Sequence, residues 1–205
     1  MAVNRKEQIV EAASKSFAMF GYKATSMDQI AKLANVGKGT IYTFFKNKEE
    51  LLHFIMEELI KEMKTAAEET FEENVTFQKN VHRAIYKMLE YRLKHQLAIK
   101  LFEEGKIGTP EVVDALQFFE EGIINYIANI LQKAIDSGDI RQCNPRITAF
   151  VILKIYVALI FDWEMNNPSL SKEELAKLLD LYIFKGISVD DCYVESTNTG
   201  KLGLS

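Results

Sequence analysis

The stretch from Thr25 to Lys48, TSMDQIAKLANVGKGTIYTFFKNK, limits what this chain can fold into more than any other. It predicts two short helices joined by a tight turn, with a third helix starting at its end. Ser26 is placed to cap the first helix, and Gln29, three residues on, completes a capping box. Ile30, Leu33 and Ala34 recur at helical spacing. Ala31 is small, as two closely crossing helices require. Asn35 sits where the chain turns, and Asn is the non-glycine residue that best accepts a left-handed conformation. Val36 then plugs the core. Gly37 and Gly39 loosen the start of the second helix, and Ile41, Phe44 and Phe45 anchor it from beneath.

This pattern leaves Lys38, Thr40, Tyr42 and Thr43 pointing outward from a short helix. A helix-turn-helix sets such a helix into the major groove, with its N-terminal residues at base edges. Thr bonds either kind of base and offers a methyl to thymine, while Tyr hydroxyls and lysines suit phosphate oxygens. The expected DNA-facing set is Thr25, Ser26, Lys38, Gly39, Thr40, Tyr42, Thr43, Lys46 and Lys48, with Tyr42, Lys46 and Lys48 on phosphates.

Residues Ile9 to Leu52, IVEAASKSFAMFGYKATSMDQIAKLANVGKGTIYTFFKNKEELL, resemble the DNA-binding domain of the tetracycline-repressor (TetR) family of bacterial regulators. Three pieces carry the resemblance. They are the Ala-Ala and Phe-Gly-Tyr positions of the first helix, the T-S-x-x-x-I-A-x-x-A-x-V run, and K-G-T-I-Y-x-F-F-x-N-K-E-E-L. Two positions depart from the family pattern. Gly37 stands where a Ser or Thr cap is usual, and Asn35 where Gly is commoner. Beyond about residue 60 the resemblance implies architecture only: a helical second domain that holds a small-molecule inducer and pairs with a second copy.

Charge is divided along the chain. Residues 1–48 hold eight Lys/Arg against three acids, a balance of +5, and the remainder holds seventeen against twenty-six, or −9. A basic head on an acidic body suits a molecule that meets polyphosphate with one end only. Cys143 and Cys192 lie far apart without metal-ligand spacing, which points to free thiols and a cytoplasmic protein. The most apolar run, Ile147 to Phe161, is short for a membrane span and reads as a buried helix.

The pattern is all-α throughout. Helices are expected at about Arg5–Phe20, with Ile9, Ala12, Ala13, Phe17 and Phe20 inside, and from Asn47 to near Asn74. Others are expected from Phe77 to about Glu104 with a break near His95–Gln96, from Thr109 to about Asp136, from Asn144 to about Met165, and from Ser171 to about Lys185. Residues 1–46 form the expected DNA-binding domain, 47–187 the ligand-binding and dimerisation domain, and 188–205 a flexible tail. The helix starting at Asn47 is expected to be the mechanical link between the two domains.

No catalytic constellation, metal set or cofactor motif is evident. His53, His82 and His95 lack matching clusters, and the paired acids fall on amphipathic helices. An enzyme is the weaker class. The last two helices are too apolar for one chain to cover, so a twofold four-helix interface is expected through Phe150, Lys154, Val157, Phe161, Leu175, Leu179 and Tyr182. A pocket for a small hydrophobic effector is expected among Met63, Phe71, Tyr86, Tyr91, Phe102, Phe118, Phe119 and Tyr126. Together these features describe a homodimeric, ligand-responsive repressor that binds a near-palindromic operator in double-stranded DNA and has no membrane role. The rival reading is a ligand-binding or interaction protein with a vestigial DNA head.

Overall fold

A computed structural model of the chain describes residues 4–92 and 96–187. Among these residues the structure is helical. Three helices come first: α1 (Arg5–Phe20) and the short α2 (Met27–Leu33) and α3 (Lys38–Phe44). Then follow α4 (Lys48–Glu68), α5 (Phe77–Arg92), α6 (Gln96–Ile107), α7 (Pro110–Asp136), α8 (Pro145–Val157), α9 (Lys172–Leu179) and the single turn α10 (Lys185–Ile187). The expected tail, 188–205, lies outside the described residues, as does Cys192. Cys143 is a free, half-buried thiol. No helix among the described residues is long and apolar enough to cross a membrane.

Side-chain caps set five of the helix starts described. The side chains of Asn4, Asn47 and Asn144 each accept a backbone N–H at the start of α1, α4 and α8. Ser171 and Glu174 form a reciprocal capping box on α9. Two starts are built differently. Thr109 begins α7 without a side-chain bond, leaving Pro110 to define that start. Glu50 closes back on the N–H of Lys46, at 2.6 Å, rather than on the capping residue Asn47.

The helix ends differ more. α4 stops at Glu68, short of Asn74, because the chain is drawn into a loop that Asn80 ties down. The buried Asn80 amide accepts from Glu72 N–H at 3.0 Å and donates to the carbonyls of Glu72 and Val75. α8 and α9 each run into a π-helical turn, Ala158–Asp162 and Asp180–Phe184. A π turn holds an extra residue, which rotates the side chains after it by about 100° from where a continuous α-helix would aim them.

α2 and α3 lie on α1, and α6 runs between α1 and α7. α7 packs along α8 and across α4, while α9 rests on α5 and α8. At the α4–α7 crossing a Cβ on Gly122 would lie 2.7 Å from Ile60 Cδ1, so the glycine lets the two helices approach. One continuous core runs from Ile9, Phe17 and Ile41 through Leu52, Met56 and Leu101 to Ile123, Leu131 and Leu153. Leu51 and Leu52 are fully buried where head meets body, and each such burial contributes on the order of 2 kcal/mol.

Three expected core residues are instead exposed: Phe20, Leu33 and Phe44. Met27, Ile30, Ala31 and Ala34 make the inner face of α2, and Leu33 falls about 110° round the helix from its centre. Phe44, the last residue of α3, falls about 60° round the helix from the buried Ile41, at the edge of the inner face. Phe20 is the last residue of α1. The chain leaves the helix at Gly21, and Tyr22 turns back to cover Phe17 instead, with ring centroids 5.4 Å apart.

Candidate nucleic-acid interface and interior cavity

The α2–turn–α3 unit is held by local chemistry. Ser26 Oγ accepts from Gln29 N–H at 3.3 Å, and Gln29 Oε1 accepts from Ser26 N–H at 2.7 Å. Asn35 takes the left-handed conformation, φ 53°, and the chain is re-tied behind it by Val36 N–H on the Ala31 carbonyl at 3.0 Å. Gly37 begins α3 with no side-chain cap, as its lack of a hydroxyl requires. Ile41 and Phe45 seat the helix in the core.

The outer face of α3 presents Lys38, Gly39, Tyr42 and Thr43, with Thr40 half-buried beside them. Lys38 Nζ lies 2.9 Å from Asp28 Oδ2, and this hydrogen bond raises the ammonium pKa. The pair ties the start of α3 to the start of α2, and DNA would have to compete with Asp28 for that ammonium. Thr43 Oγ1 donates to the carbonyls of Thr40 (2.8 Å) and Gly39 (3.1 Å), which fixes its rotamer and leaves its lone pairs outward. No atom lies within 4 Å of a Cβ built on Gly39, so this backbone is open to a close-lying surface. Lys46 is exposed just beyond α3.

Two members of the expected DNA-facing set point elsewhere. Thr25 is only 2 % exposed. Its hydroxyl donates to the Gly21 carbonyl at 2.8 Å and lies 3.1 Å from Ser16 Oγ, inside the head. Lys48 Nζ donates to the carbonyls of Tyr22 and Thr25, both at 2.7 Å, and sits 4.1 Å from the centre of the Tyr22 ring. Burial lowers the Lys48 pKa, partly opposed by Glu104 and Glu111. Burial also pushes the Tyr22 phenol up to about 12, with Glu111, Glu49 and Glu104 adding to it, so the phenol stays protonated at neutral pH.

The body holds a partly open cavity of about 160 Å³. Met63 and Ala67 of α4 wall it together with Phe71, Phe77, Ile85 and Met88, and Ile123, Tyr126, Ile127 and Ile130 of α7, Ile152 and Tyr156 of α8, and Leu179 complete the lining. The polar tips among them are turned to the backbone. Tyr126 Oη donates to the Lys64 carbonyl at 3.4 Å and Tyr156 Oη to the Met88 carbonyl at 3.5 Å. Burial pushes the Tyr126 phenol up to about 12. A wider, more polar recess shares Phe71, Phe77, Tyr126 and Ile130 with the cavity and adds Glu68, Asn129, Lys133, Ser137 and Asp139.

Of the expected effector residues, Met63, Phe71 and Tyr126 line this cavity. Four others stand away from it. Phe119 belongs to the central core, and Tyr86 is exposed on α5. Phe102 packs on Phe161 at 4.5 Å, and Phe118 is exposed with its ring 5.5 Å from His53. The Tyr91 side chain lies outside the described residues. Counting aromatics could not find the branched aliphatic walls from α7 and α8, because their burial inside one chain depends on which helices face each other.

The expected interface residues also divide. Leu175 and Leu179 are 1 % and 2 % exposed and pack inside their own chain, against Tyr156, Ile85 and Leu159. Their assignment to an interface is therefore corrected: the stripe of α9 is spent on α5 and α8. Phe161 is likewise turned inward, onto Phe102. Lys154, inside the apolar run, pairs with Glu120 of α7 in the same chain, its Nζ 2.6 and 2.7 Å from the two carboxylate oxygens. Val157 is half-buried. Phe150 and Tyr182 remain exposed, and Ile147, Val151 and Leu181 are exposed with them.

Residues 9–55 match the profile of the bacterial regulatory proteins of the tetR family. The HTH-type transcriptional regulator YhgD of Bacillus subtilis is 55% identical over 93% of this chain and 100% of its own length. The fatty acid metabolism regulator protein of the same organism is 30% identical over 78% of this chain and 84% of its own. The crystal structure of FadR from Bacillus subtilis in complex with stearoyl-CoA superposes with a TM-score of 0.69 at 28% identity, over 85% of this chain and 94% of that one. A TetR-family regulator from Syntrophomonas wolfei shares the fold, with a TM-score of 0.76 at 19% identity. With a helix-turn-helix of this geometry and relatives of this similarity along nearly its whole length, the chain belongs to the TetR family of DNA-binding transcriptional regulators.

Proposed function

We propose that this regulator represses by binding a near-palindromic operator as a twofold dimer, and that an acyl or similarly apolar effector releases it. Residues 1–46 are the DNA-binding head, and 47–187 the effector and dimer body. The observation that carries the reading is the partly open apolar cavity walled by α4, α5, α7 and α8 behind an intact helix-turn-helix. Apolar walls with few polar groups select by shape and by how much surface the ligand removes from water. The cavity is close to the roughly 150 Å³ that holds a benzene-sized guest in an apolar core. That size favours a short acyl or aryl group inside, with its polar end in the recess beside Lys133. The likeness to a fatty acid metabolism regulator, and to a FadR structure holding stearoyl-CoA, supports an acyl group as the ligand; a stearoyl chain itself is longer than this cavity accommodates.

The dimer reading rests on the exposed apolar residues of α8 and of the turn after α9: Ile147, Phe150, Val151, Leu181 and Tyr182. A surface of this kind on one chain is a candidate contact for its copy.

The test is a chain-length series of fatty acids and their thioesters. A true effector at a hundredfold its dissociation constant adds about 2.7 kcal/mol. For a chain of this size that raises the melting temperature by roughly 5–10 °C. It must also release operator DNA, which requires a preference for the released state of roughly 5.5 kcal/mol. Ligands that raise the melting temperature at every chain length without moving DNA binding would leave a pocket and remove the switch.

A further inference from the structure

The turn between α1 and α2 carries an arrangement that the reading above does not use. Glu104, near the end of α6, is only 9 % exposed and reaches out of the body into this turn. Its Oε2 accepts from the Tyr22 N–H at 2.6 Å and its Oε1 from the Lys23 N–H at 2.8 Å. A carboxylate held by two backbone amides makes charge-assisted bonds, roughly twice as strong as neutral ones. From the other side, Lys48 of α4 holds the carbonyls of Tyr22 and Thr25. The polar groups of one short turn in the head are thus gripped by an anion from α6 and a cation from α4, the two helices that join head to body.

Gly21 makes the approach possible. It adopts φ 83°, and a Cβ there would lie 2.9 Å from Glu104 Oε2. The helix-turn-helix core itself, Ile9, Phe17, Ile30, Ile41 and Phe45, has its own apolar packing and draws no hydrogen bond from Glu104. The carboxylate therefore bears on where the head sits against α6 rather than on whether the head folds.

We propose that Glu104 is a positioning residue for DNA binding: it fixes the angle of the helix-turn-helix head on the body, and so the spacing of the two heads in a dimer. The proposal rests on the two-headed reading above. α6 packs against α7, whose inner face walls the cavity, so the clamp stands where a shift of α6 would reach the head. α4 is not the only link between the two parts, as the sequence had suggested.

The experiment uses the full chain and an operator selected by the unsubstituted protein from a pool of random duplexes, together with a duplex carrying one half-site. Glu104→Ala should lose about tenfold or more in affinity for the two-half-site duplex while holding its half-site affinity. Glu104→Gln, which keeps one acceptor oxygen, should fall between. In hydrogen exchange, the Tyr22 and Lys23 amides should lose protection in Glu104→Ala while those of α2 and α3 keep it. Equal losses on both duplexes would make Glu104 a mere support of the head fold, and no loss on either would remove its role; each result overturns the proposal. Failure of the two-headed reading looks different, because the unsubstituted protein would then bind both duplexes alike.

Discussion

At the scale of single residues, the lysines of the head do different work although the sequence makes them look alike. Lys46 is exposed just beyond α3, whereas Lys48 is drawn under the α1–α2 turn. Removing Lys48 takes the ammonium from the Thr25 carbonyl and leaves the Tyr22 carbonyl with only the Thr25 N–H at 3.2 Å. Lys48→Ala should therefore cost about 1–3 kcal/mol of stability, read from thermal or urea unfolding. Lys46→Ala should leave stability unchanged and reduce the salt dependence of DNA binding by about one unit of slope. If Lys48→Ala lowers the salt slope and spares the melting temperature, the ammonium leaves the turn for a phosphate, and the clamp described here is wrong. Thr25 follows the same logic, since its hydroxyl serves Gly21 and Ser16 and is hidden from any ligand.

At the scale of elements, the α2–α3 turn is the most locally determined part of the molecule. Asn35 bears a left-handed backbone that a Cβ-bearing residue without a polar side chain tolerates poorly. Asn35→Ala should cost about 1 kcal/mol and lower the melting temperature by roughly 2–4 °C. Asn35→Gly should be neutral or stabilising, because glycine takes φ > 0 freely. Equal effects of the two substitutions would show that the side chain, not the backbone, holds the turn. α8 and α9 behave differently. Their local sequence favours helix, yet each ends in a π turn that redirects Phe161 and Tyr182.

At the scale of the whole molecule, the exposed and buried halves of the apolar C-terminal helices make opposite predictions. Phe150 is on the surface and Leu179 is inside. Phe150→Glu should convert a dimer to a folded monomer, with unchanged helicity and half the mass in light scattering. Leu179→Glu should instead unfold the body, because it buries an unpaired charge in the core that α5, α8 and α9 share. A Phe150→Glu protein that stays dimeric would move the interface off α8. The same division applies to Lys154, whose partner Glu120 lies in its own chain, so that ion pair needs no second copy.

The sequence by itself determined the helical class, the caps at Ser26, Asn47, Asn144 and Ser171, the left-handed turn at Asn35 and the outward face of α3. All of these are set by residues within about four positions of each other, where helical spacing and side-chain-to-backbone bonds decide the outcome. Only the tertiary structure decided which apolar residues meet. It turned Leu175 and Leu179 into their own chain, brought Ile123, Ile127 and Tyr156 to the cavity that Phe102 and Phe118 do not reach, and set Glu104 against Tyr22, eighty-two positions away. Hydrophobic burial is non-directional, so a stripe of leucines states that it must be covered and not by what. That choice falls to the helix crossings, and here those crossings depend on small residues such as Gly21 and Gly122, whose effect lies in the space they leave to distant partners.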